Sequence, residues 1–406
     1  MVGQTSPTRR QALGLGVALS LGVTTKARAQ SGPIKIGIAT DLSGVAAAFA
    51  NSQVNGLKFA VDELNRAGGV LGRQIEVIVR DSQAKPDLGV SHARDLITGD
   101  KVDLLVGPVS SGVALGISNL ARQHSVPIIM TIPNTPRLAM ELFHPYFFTV
   151  TPSGLMEARA MAEAIGKKHQ TFGFIGGDYE AGRQALAYFR AHLAKVNPEA
   201  RIIVEAFPKL GEPDHTSYIT RLMSARPQAV FSYLWGADIV GFVKQARPYR
   251  FFERISFASL FFFDDLRALG AEMPDGVTGQ MRAPFFAIDT PAMKEFTRKF
   301  SEKYNEHPAD WAIMTYEAIQ LFAEGAKKAG SVRGEELVKG LEGASITGLR
   351  GELKFRKEDH QANSPSYIGN SVTDPSFPFK IFRPMEVIQA EAVWPSLEEV
   401  AASRRT

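Results

Sequence analysis

The sequence of 406 residues contains no cysteine. This absence excludes disulfide bonds, thiolate nucleophiles, cysteine-ligated zinc and iron–sulfur clusters. The sequence also has no excess of charge outside its first 29 residues. Residues 1–29 carry four basic and no acidic side chains, whereas residues 30–406 carry 42 of each sign. A chain without surplus cations releases few counterions from a phosphate backbone, so we expect no nucleic acid partner.

Sequence motifs of catalysis and cofactor binding are missing as well. There is no G-x-G-x-x-G after a strand, no G-x-x-x-x-G-K-[ST] and no H-E-x-x-H. The eight histidines never recur at the i, i+2 or i, i+4 spacing of a local metal site. The adjacent Asp264 and Asp265 are better explained as the first turn of a helix, where the helix dipole stabilises carboxylates. We therefore expect no catalytic residues, no cofactor and no metal, and thus no enzyme.

The N-terminus has the features of an export signal. The Arg9-Arg10 pair precedes an apolar stretch over about 12–23, and Ala27-Arg28-Ala29 matches the small-x-small pattern of a signal peptidase site. The apolar stretch is shorter than the roughly 20 residues that a membrane-spanning helix needs. The sequence therefore predicts an export signal over 1–29, of either the Tat or the Sec type, and a periplasmic protein.

From residue 34 the chain alternates apolar strands with helices. Strands that are apolar throughout and joined by helices indicate parallel sheets that are covered on both faces. Two such runs, over about 34–150 and 151–280, predict two α/β lobes. The predicted strands are 34–39, 74–79, 102–106, 126–130, 171–175, 201–207, 229–234 and 255–260. The predicted helices are 51–66, 86–98, 112–123, 153–168, 179–196, 216–225, 236–247, 291–305 and 310–328. From Gly351 onward the chain is irregular, with strand-like pieces such as 379–382.

One predicted loop has the chemistry of an anion site. The segment Gly107-Pro108-Val109-Ser110-Ser111-Gly112 connects an apolar strand to a helix. The N–H groups at a helix start lack intrahelical partners, and the hydroxyls of Ser110 and Ser111 add two donors. The loop also follows the carboxyl end of a strand, where ligands bind in open α/β sheets. An equally weighted alternative is that these serines only cap the helix.

Four segments carry motifs that occur together in one protein family. They are Asp41-Leu-Ser-Gly44, the run NGLKFAVDELNRAGGVLGR over 55–73, Asp81-Ser-Gln83, and KVDLLVGPVSSG over 101–112. Each segment is common on its own, but their order and spacing behind an export signal are specific. In these segments the sequence resembles the leucine/isoleucine/valine-type periplasmic solute-binding proteins of ABC transporters. The resemblance extends over about residues 34–390.

The resemblance implies an architecture and a partner. Such proteins are α/β, with two doubly wound parallel-sheet lobes joined by three hinge strands (periplasmic binding protein type I), and they close on a ligand in the cleft. The crossings would fall near Val150, Arg282 and Arg356. The N-terminal lobe would be 34–150 plus 283–356, and the C-terminal lobe 151–282 plus 357–400. A protein of this kind is expected to be a monomer that delivers its solute to the membrane subunits of an ABC permease.

The resemblance also assigns ligand-binding positions. The hydroxyl that contacts the ligand carboxylate falls on Ser111, beside Ser110. The loop after the next strand, 132–135, adds backbone and hydroxyl contacts, with Asn134 and Thr135 as alternatives for the side chain. The aromatic residues that cover the pocket fall on Phe49, Tyr179 and Trp235. For the last two, ordinary packing at the end of an element is the alternative.

One position departs from the amino-acid binders of the family. They carry an acidic residue at the end of the strand 255–260, where it pairs with the ligand ammonium, whereas this sequence has Ser259-Leu-Phe261-Phe-Phe263. A buried ammonium without a counter-charge is costly, so an organic acid with an aromatic or aliphatic body is favoured, with Phe261 as a further lining residue. Asp264 or Asp265 as a counter-charge keeps a branched-chain or other hydrophobic amino acid as an alternative. A sensory binding protein of the same fold is the other alternative.

Overall fold

The alternating strands and helices form two large sheets in a computed structural model of the protein. The structure describes residues 1–3 and 32–405, without the side chain of Val45. The predicted export signal therefore lies outside the described residues, apart from residues 1–3. Met1–Gly32 and Pro33–Thr406 are separate units, and everything below concerns the second.

Five parallel strands form the first sheet, in the order β2-β1-β3-β4-β5. Its strands are β1 (Ile34–Thr40), β2 (Ile75–Asp81), β3 (Leu104–Val106), β4 (Ile128–Met130) and β5 (Phe147–Thr149). The intervening helices are α1 (Ala47–Arg66), α2 (Pro86–Thr98) and α3 (Ser111–His124). Alternate residues of a strand face opposite sides, so Leu104 and Val106 join one apolar core and Leu105 joins another. Both faces of this sheet are thus covered, as the apolar strands predicted.

The second sheet begins with five further strands. They are β6 (Thr171–Gly176), β7 (Arg201–Ala206), β8 (Ala229–Tyr233), β9 (Ser256–Leu260) and β10 (Thr278–Met281). The accompanying helices are α4 (Gly154–Ile165), α5 (Glu180–Val196), α6 (Thr216–Ala225), α7 (Ala237–Ala246) and α8 (Phe263–Leu269). These five strands are mutually parallel, which confirms a second unit of the same kind as the first.

The segment after β10 is mainly helical and packs against α1, a helix of the first sheet. It contains α9 (Pro291–Tyr304), α10 (Asp310–Ala329), α11 (Gly334–Leu341) and a hairpin of β11 (Ser345–Gly348) and β12 (Gly351–Lys354). Helix α10 lies against α1, and Gly56 allows their close approach. A Cβ at Gly56 would lie 2.3 Å from the Ala312 carbonyl oxygen, so a larger residue would force the helices apart.

The C-terminal segment contains two regular strands, of which the sequence indicated only a strand-like piece at 379–382. The second sheet has the order β14-β13-β10-β9-β8-β6-β7, with β13 (Ser366–Val372) antiparallel to β10 and β14 (Ile381–Ile388) antiparallel to β13. Two short helices follow, α12 (Ala390–Val393) and α13 (Leu397–Ser403). The sequence of β13, SYIGNSV, contains glycine, asparagine and serine, which are poor strand formers. Its pairing with β10 decides its conformation, and this contact is not visible in the local sequence.

Three segments lead the chain between the two sheets. The segment after β5 and the segment before β13 run side by side, since the Ala362 N–H donates to the Thr149 carbonyl at 2.8 Å. The third follows β10, where the Arg282 carbonyl accepts a hydrogen bond from Arg350 at 3.2 Å. The predicted lobe boundaries at 150, 282 and 356 fall in or beside these segments, and they stay predictions. No helix among residues 32–405 has the length and apolarity needed to cross a bilayer.

Candidate ligand-binding site

A cavity of about 550 Å³ lies between the carboxyl ends of the strands of the two sheets. This volume falls in the range of small-molecule sites. Seven of the eight candidate ligand-binding residues line it: Phe49, Ser110, Ser111, Asn134, Thr135, Tyr179 and Trp235. The topology therefore brings together residues that are up to 186 positions apart in the sequence.

The segment 107–112, called the Ser111 turn below, leads from β3 into α3 at one side of the cavity. Gly107 is needed there, because a Cβ would lie 2.2 Å from the sulfur of Met130. Ser110 is engaged within the protein: its N–H donates to Asp41 Oδ2 at 2.7 Å, and its hydroxyl accepts from the Val113 N–H at 3.4 Å. Ser110 is thus the helix cap, whereas the Ser111 hydroxyl makes no hydrogen bond to any residue that the structure describes. Together with the Ser111 and Gly112 N–H groups at the start of α3, it can bind an anionic oxygen.

The loop after β4 places both Asn134 and Thr135 at the cavity. The Asn134 side chain is held by the second sheet, since Nδ2 donates to Glu157 Oε2 at 2.8 Å and to the Tyr233 hydroxyl at 2.9 Å. Thr135 precedes a short 3-10 turn, and its side chain does not cap that turn. Both alternatives of the sequence analysis therefore face the same space, but the amide hydrogens of Asn134 are already used.

Three aromatic candidates line the cavity from opposite sides. The rings of Phe49, in α1, and Trp235, after β8, have centroids 6.4 Å apart. Trp235 Nε1 donates to the Tyr179 hydroxyl at 2.8 Å, so the hydroxyl keeps its own hydrogen for another acceptor. Burial raises the pKa of Tyr179, with the Trp235 hydrogen bond opposing, so this hydroxyl stays protonated at neutral pH. Tyr179 can therefore donate a hydrogen bond into the cavity.

Phe261 does not line the cavity, and this prediction needs correction. Its ring is fully buried and lies 5.3 Å from the ring of Phe382, on the β14 side of the sheet. The next residue, Phe262, faces the cavity instead and packs against Phe49 and Trp311, with ring centroids 6.0 Å and 4.4 Å away. Successive residues of an extended chain point in opposite directions, so an error of one residue moves the side chain to the other face.

Asp264 and Asp265 do not line the cavity either. Asp264 Oδ1 accepts from Arg267 at 2.7 Å, and Asp265 Oδ2 accepts the Phe262 N–H at 2.9 Å at the start of α8. Burial raises the pKa of both carboxyls. The interpretation of this pair as the first turn of a helix is confirmed, and neither carboxylate is placed to meet a ligand ammonium.

A buried polar cluster lies beside the cavity, and the sequence analysis did not identify it. We call it the Glu157 network: Glu157, Arg282, Asn134 and Tyr233. Arg282 Nε donates to Glu157 Oε1 at 2.6 Å, and the Tyr233 hydroxyl donates to Glu157 Oε2 at 3.0 Å. Burial, and then the charge of Glu157, raise the pKa of Tyr233 well above its usual range. Tyr233 is therefore a neutral donor, and Glu157 accepts from both Tyr233 and Arg282.

Arg282 is the only member of this network with a fixed positive charge, and it faces the ligand space. It is 4% exposed and lines the cavity directly after β10. Its Nη1 donates to the Ile132 carbonyl at 3.1 Å, and its guanidinium carbon lies 5.2 Å from the ring centroids of both Phe262 and Trp311. The resemblance assigns ligand contacts to the loop 132–135. The guanidinium already uses one backbone acceptor of this loop, the Ile132 carbonyl.

The carboxylates near the cavity already have partners. Asp41 accepts from the Ser82 hydroxyl and from the N–H groups of Ala84 and Ser110, at 3.1 Å and 2.7 Å for the two N–H groups. Glu180, at the exposed rim, accepts from Arg137 at 3.4 Å. No group of three or more acidic or histidine side chains within residues 32–405 is arranged to hold a metal ion.

The sequence carries little signal for the residues that were missed. Arg282 and Glu157 are 125 positions apart, and each follows ordinary strand or helix patterns. Trp311 begins a predicted helix and is indistinguishable there from a core residue. Tyr233 lies near the end of the predicted strand 229–234, two residues before Trp235, so its place at the carboxyl edge of the sheet was the one available indication.

Comparison with known proteins agrees with this architecture. The family model described as periplasmic binding protein matches residues 33–374. A Leu/Ile/Val-binding protein of Rhizobium johnstonii is 36% identical over 105 residues, which are 26% of this chain and only 28% of that relative. The leucine-, isoleucine-, valine-, threonine- and alanine-binding protein of Pseudomonas aeruginosa is 22% identical over 335 residues, 81% of this chain and 87% of that protein.

Solved structures show the same fold. An ABC transporter solute-binding protein from R. palustris, in complex with benzoate, superposes with a TM-score of 0.76 at 20% identity, over 88% of this chain and 97% of that one. The matched family consists of extracytoplasmic transport proteins that bind solutes, not enzymes. The chain belongs to the periplasmic binding protein family: it is a solute-binding protein of ABC transporters and has the type I fold of these binding proteins.

Proposed function

We propose that this protein binds a small organic acid with an aromatic or aliphatic body and delivers it to an ABC permease as a monomer. An export signal over 1–29, of the Tat or the Sec type, would bring it to the periplasm. The Ser111 turn would hold the ligand carboxylate. The proposal concerns the solute and the partner, which the fold alone does not specify.

The position of Arg282 is the observation that carries this proposal. An α-ammonium in the cavity would need a counter-charge as well as acceptors for its hydrogens. The Ile132 carbonyl already accepts from Arg282 Nη1 at 3.1 Å. A fixed cation at this point repels a second one, and an unpaired buried ammonium costs several kcal/mol (about 3 or more). A ligand without an amine avoids this cost.

The Ser111 turn complements a carboxylate without adding a charged side chain. Three donors have no partner among the described residues: the Ser111 hydroxyl and the N–H groups of Ser111 and Gly112. The positive end of the α3 dipole adds to their effect. Much of the remaining cavity wall is aromatic, which suits a flat or branched apolar body.

The named relatives support both solute classes. The P. aeruginosa relative is named for binding amino acids, and the R. palustris structure holds benzoate. An amino-acid carrier is therefore the alternative. The lining carboxylate Asp41 would then be the candidate counter-charge, although three donors already occupy it.

Matched compounds that differ only by the ammonium test the proposal. Calorimetry would compare 3-phenylpropionate with phenylalanine, and 4-methylpentanoate with leucine. We expect each deaminated compound to bind at least about tenfold more tightly, because the ammonium finds no free counter-charge. Tighter binding of both amino acids would contradict the proposal and identify an amino-acid carrier.

Delivery to a permease is tested separately from the solute. Genes for permease and ATPase subunits beside this gene, and loss of solute uptake on its deletion, would support transport. A neighbouring receptor gene and unchanged uptake would favour the sensory alternative. Size-exclusion chromatography with light scattering tests the monomer.

A further inference from the structure

The guanidinium of Arg282 has a donor that the protein does not use. Nε is bonded to Glu157 and Nη1 to the Ile132 carbonyl, whereas Nη2 makes no hydrogen bond to any residue in the described part of the chain. The guanidinium is planar, so these two bonds also fix the direction of Nη2. Because Arg282 is almost fully buried and lines the cavity, Nη2 is available to a molecule bound there.

Asn134 supplies an acceptor beside this donor. Asn134 Nδ2 donates to Glu157 Oε2 at 2.8 Å and to the Tyr233 hydroxyl at 2.9 Å, so the nitrogen of the amide faces Glu157. The amide oxygen Oδ1 then points elsewhere, and it has no partner among residues 32–405. Arg282 and Asn134 are bonded to the two oxygens of the same carboxylate, which keeps the free donor and the free acceptor close together.

This donor–acceptor pair lies next to the Ser111 turn. The turn follows β3 and Asn134 follows β4, and these strands are neighbours in register, with Leu105 opposite Ile128. Ser111, Asn134 and Arg282 all line the cavity, and the first two follow the ends of these neighbouring strands. We therefore place the carbon beside the ligand carboxylate, rather than the far end of its body, at Arg282 and Asn134.

We infer that the ligand is a 2-hydroxy carboxylic acid with an apolar body. The carboxylate binds at the Ser111 turn, the hydroxyl oxygen accepts from Arg282 Nη2, and the hydroxyl hydrogen is donated to Asn134 Oδ1. The inference rests on the proposed function and adds the substituent beside the carboxylate.

Other substituents fit this pair less well. A ketone oxygen can accept from Arg282 but leaves Asn134 Oδ1 without a donor. A second carboxylate would lie near Glu157, whose charge already balances that of Arg282. An ammonium would face the guanidinium. Among these groups a hydroxyl alone both donates and accepts without adding charge.

Calorimetry on the purified protein tests the inference with matched acids. The pairs are 2-hydroxy-3-phenylpropionate against 3-phenylpropionate, and 2-hydroxy-4-methylpentanoate against 4-methylpentanoate. We expect each hydroxy acid to bind at least about tenfold more tightly, and phenylpyruvate to bind less tightly than the first hydroxy acid. A hydroxyl that adds nothing to either acid would overturn the inference.

Three variants test whether Arg282 and Asn134 bind the ligand hydroxyl. Arg282→Lys keeps a charge for Glu157 but lacks the second donor arm, and Asn134→Ala removes the acceptor. In each we expect the advantage of the hydroxy acid to fall below about threefold. Arg80→Lys changes an arginine that pairs with Asp100 and does not line the cavity, and it should keep the full advantage. If Arg282→Lys fails to fold by circular dichroism, Asn134→Ala decides the question.

The outcomes separate the two proposals. An advantage that persists in both cavity variants would place the hydroxyl elsewhere and overturn this inference. If 3-phenylpropionate still outcompetes phenylalanine in that case, the proposed function stands. If phenylalanine and leucine bind more tightly than every acid without an amine, both proposals are wrong.

Discussion

Two buried arginine–glutamate pairs of this protein have similar geometry and different surroundings. Arg282 Nε lies 2.6 Å from Glu157, and Arg350 Nε lies 2.7 Å from Glu317, with no side chain of the four more than 5% exposed. The first pair borders the cavity. The second pair does not line the cavity. Its Arg350 N–H and Nε both donate to Glu317, and Arg350 Nη1 donates to the Arg282 carbonyl.

The difference shows that position, more than the pair itself, determines what a buried ion pair can do. Arg350 supports the backbone at Arg282, while Arg282 presents donors to the ligand space. Buried pairs are weak evidence for stability, since desolvation offsets much of their attraction. Their separate roles can be tested by breaking each in turn.

The largest effect is expected when one partner of either pair is removed. Glu157→Ala and Glu317→Ala each leave a buried arginine uncompensated, which should lower the free energy of unfolding by about 3–5 kcal/mol. Denaturant unfolding measures this loss. Among the variants that fold, we expect Glu157→Ala to change the affinity for 3-phenylpropionate and Glu317→Ala to leave it within about twofold.

A double variant sharpens the same comparison. Replacing both partners by apolar residues, as in Arg282→Met with Glu157→Leu, should recover most of the lost stability because no charge remains buried. Equal changes of affinity in the Glu157 and Glu317 variants would contradict the distinction between the two pairs.

The Ser111 turn contrasts with both pairs because it would bind charge without an ion pair. Ser111→Ala removes one hydroxyl donor to the ligand carboxylate, and such charged hydrogen bonds contribute about 1.5–3 kcal/mol, or roughly tenfold to a hundredfold in affinity. Calorimetry measures the loss. Ser110→Ala is the matched control: it removes the helix cap, so stability should fall by about 1 kcal/mol with little change in affinity. Unchanged affinity in Ser111→Ala would contradict this prediction and mean that other groups bind the ligand carboxylate.

A smaller effect is expected at Tyr179, a neutral donor on the opposite side of the cavity. Tyr179→Phe removes its hydroxyl and leaves Trp235 Nε1 without its 2.8 Å partner. We expect affinity to fall by up to about tenfold, the usual contribution of a neutral hydrogen bond of 0.5–1.5 kcal/mol. Tyr316→Phe, at a tyrosine that bonds Glu63 outside the cavity, serves as the control and should leave affinity unchanged. A similar loss in both variants would point to a general effect of packing.

The smallest effect on affinity concerns the rim. Arg137 Nη1 lies 3.4 Å from Glu180 Oε1 across the cavity entrance, and both side chains are partly exposed. Exposed pairs contribute about 0–1 kcal/mol, so Arg137→Ala should weaken binding by less than about fivefold.

Small-angle scattering should show a smaller radius of gyration with ligand, since hinge proteins close on their solute. An unchanged profile at saturation would count against closure.

Much of the fold follows from local patterns. The helices Pro86–Thr98 and Thr216–Ala225 were predicted to the residue, and most other boundaries agree within about three residues. Strands β5 and β10 to β13 were not predicted, and only a strand-like piece at 379–382 was indicated for β14. The conformation of β13 and β14 depends on pairing with a strand far away in sequence. The cavity shows the same difference between local patterns and distant contacts. Seven candidate residues taken from motifs line it, whereas the prediction of Phe261 was off by one residue.

The sequence by itself determined the alternating elements, the Ser111 turn and the family. These depend on periodicity, capping and motif spacing, which involve residues close together in the chain. Only the tertiary structure decided that Phe262 faces the cavity, that Asp264 and Asp265 do not, and that Arg282 meets Glu157 and the Ile132 carbonyl. These contacts join residues 125 and 150 positions apart, so the path of three separate segments between two sheets determines them. No local pattern records such a path.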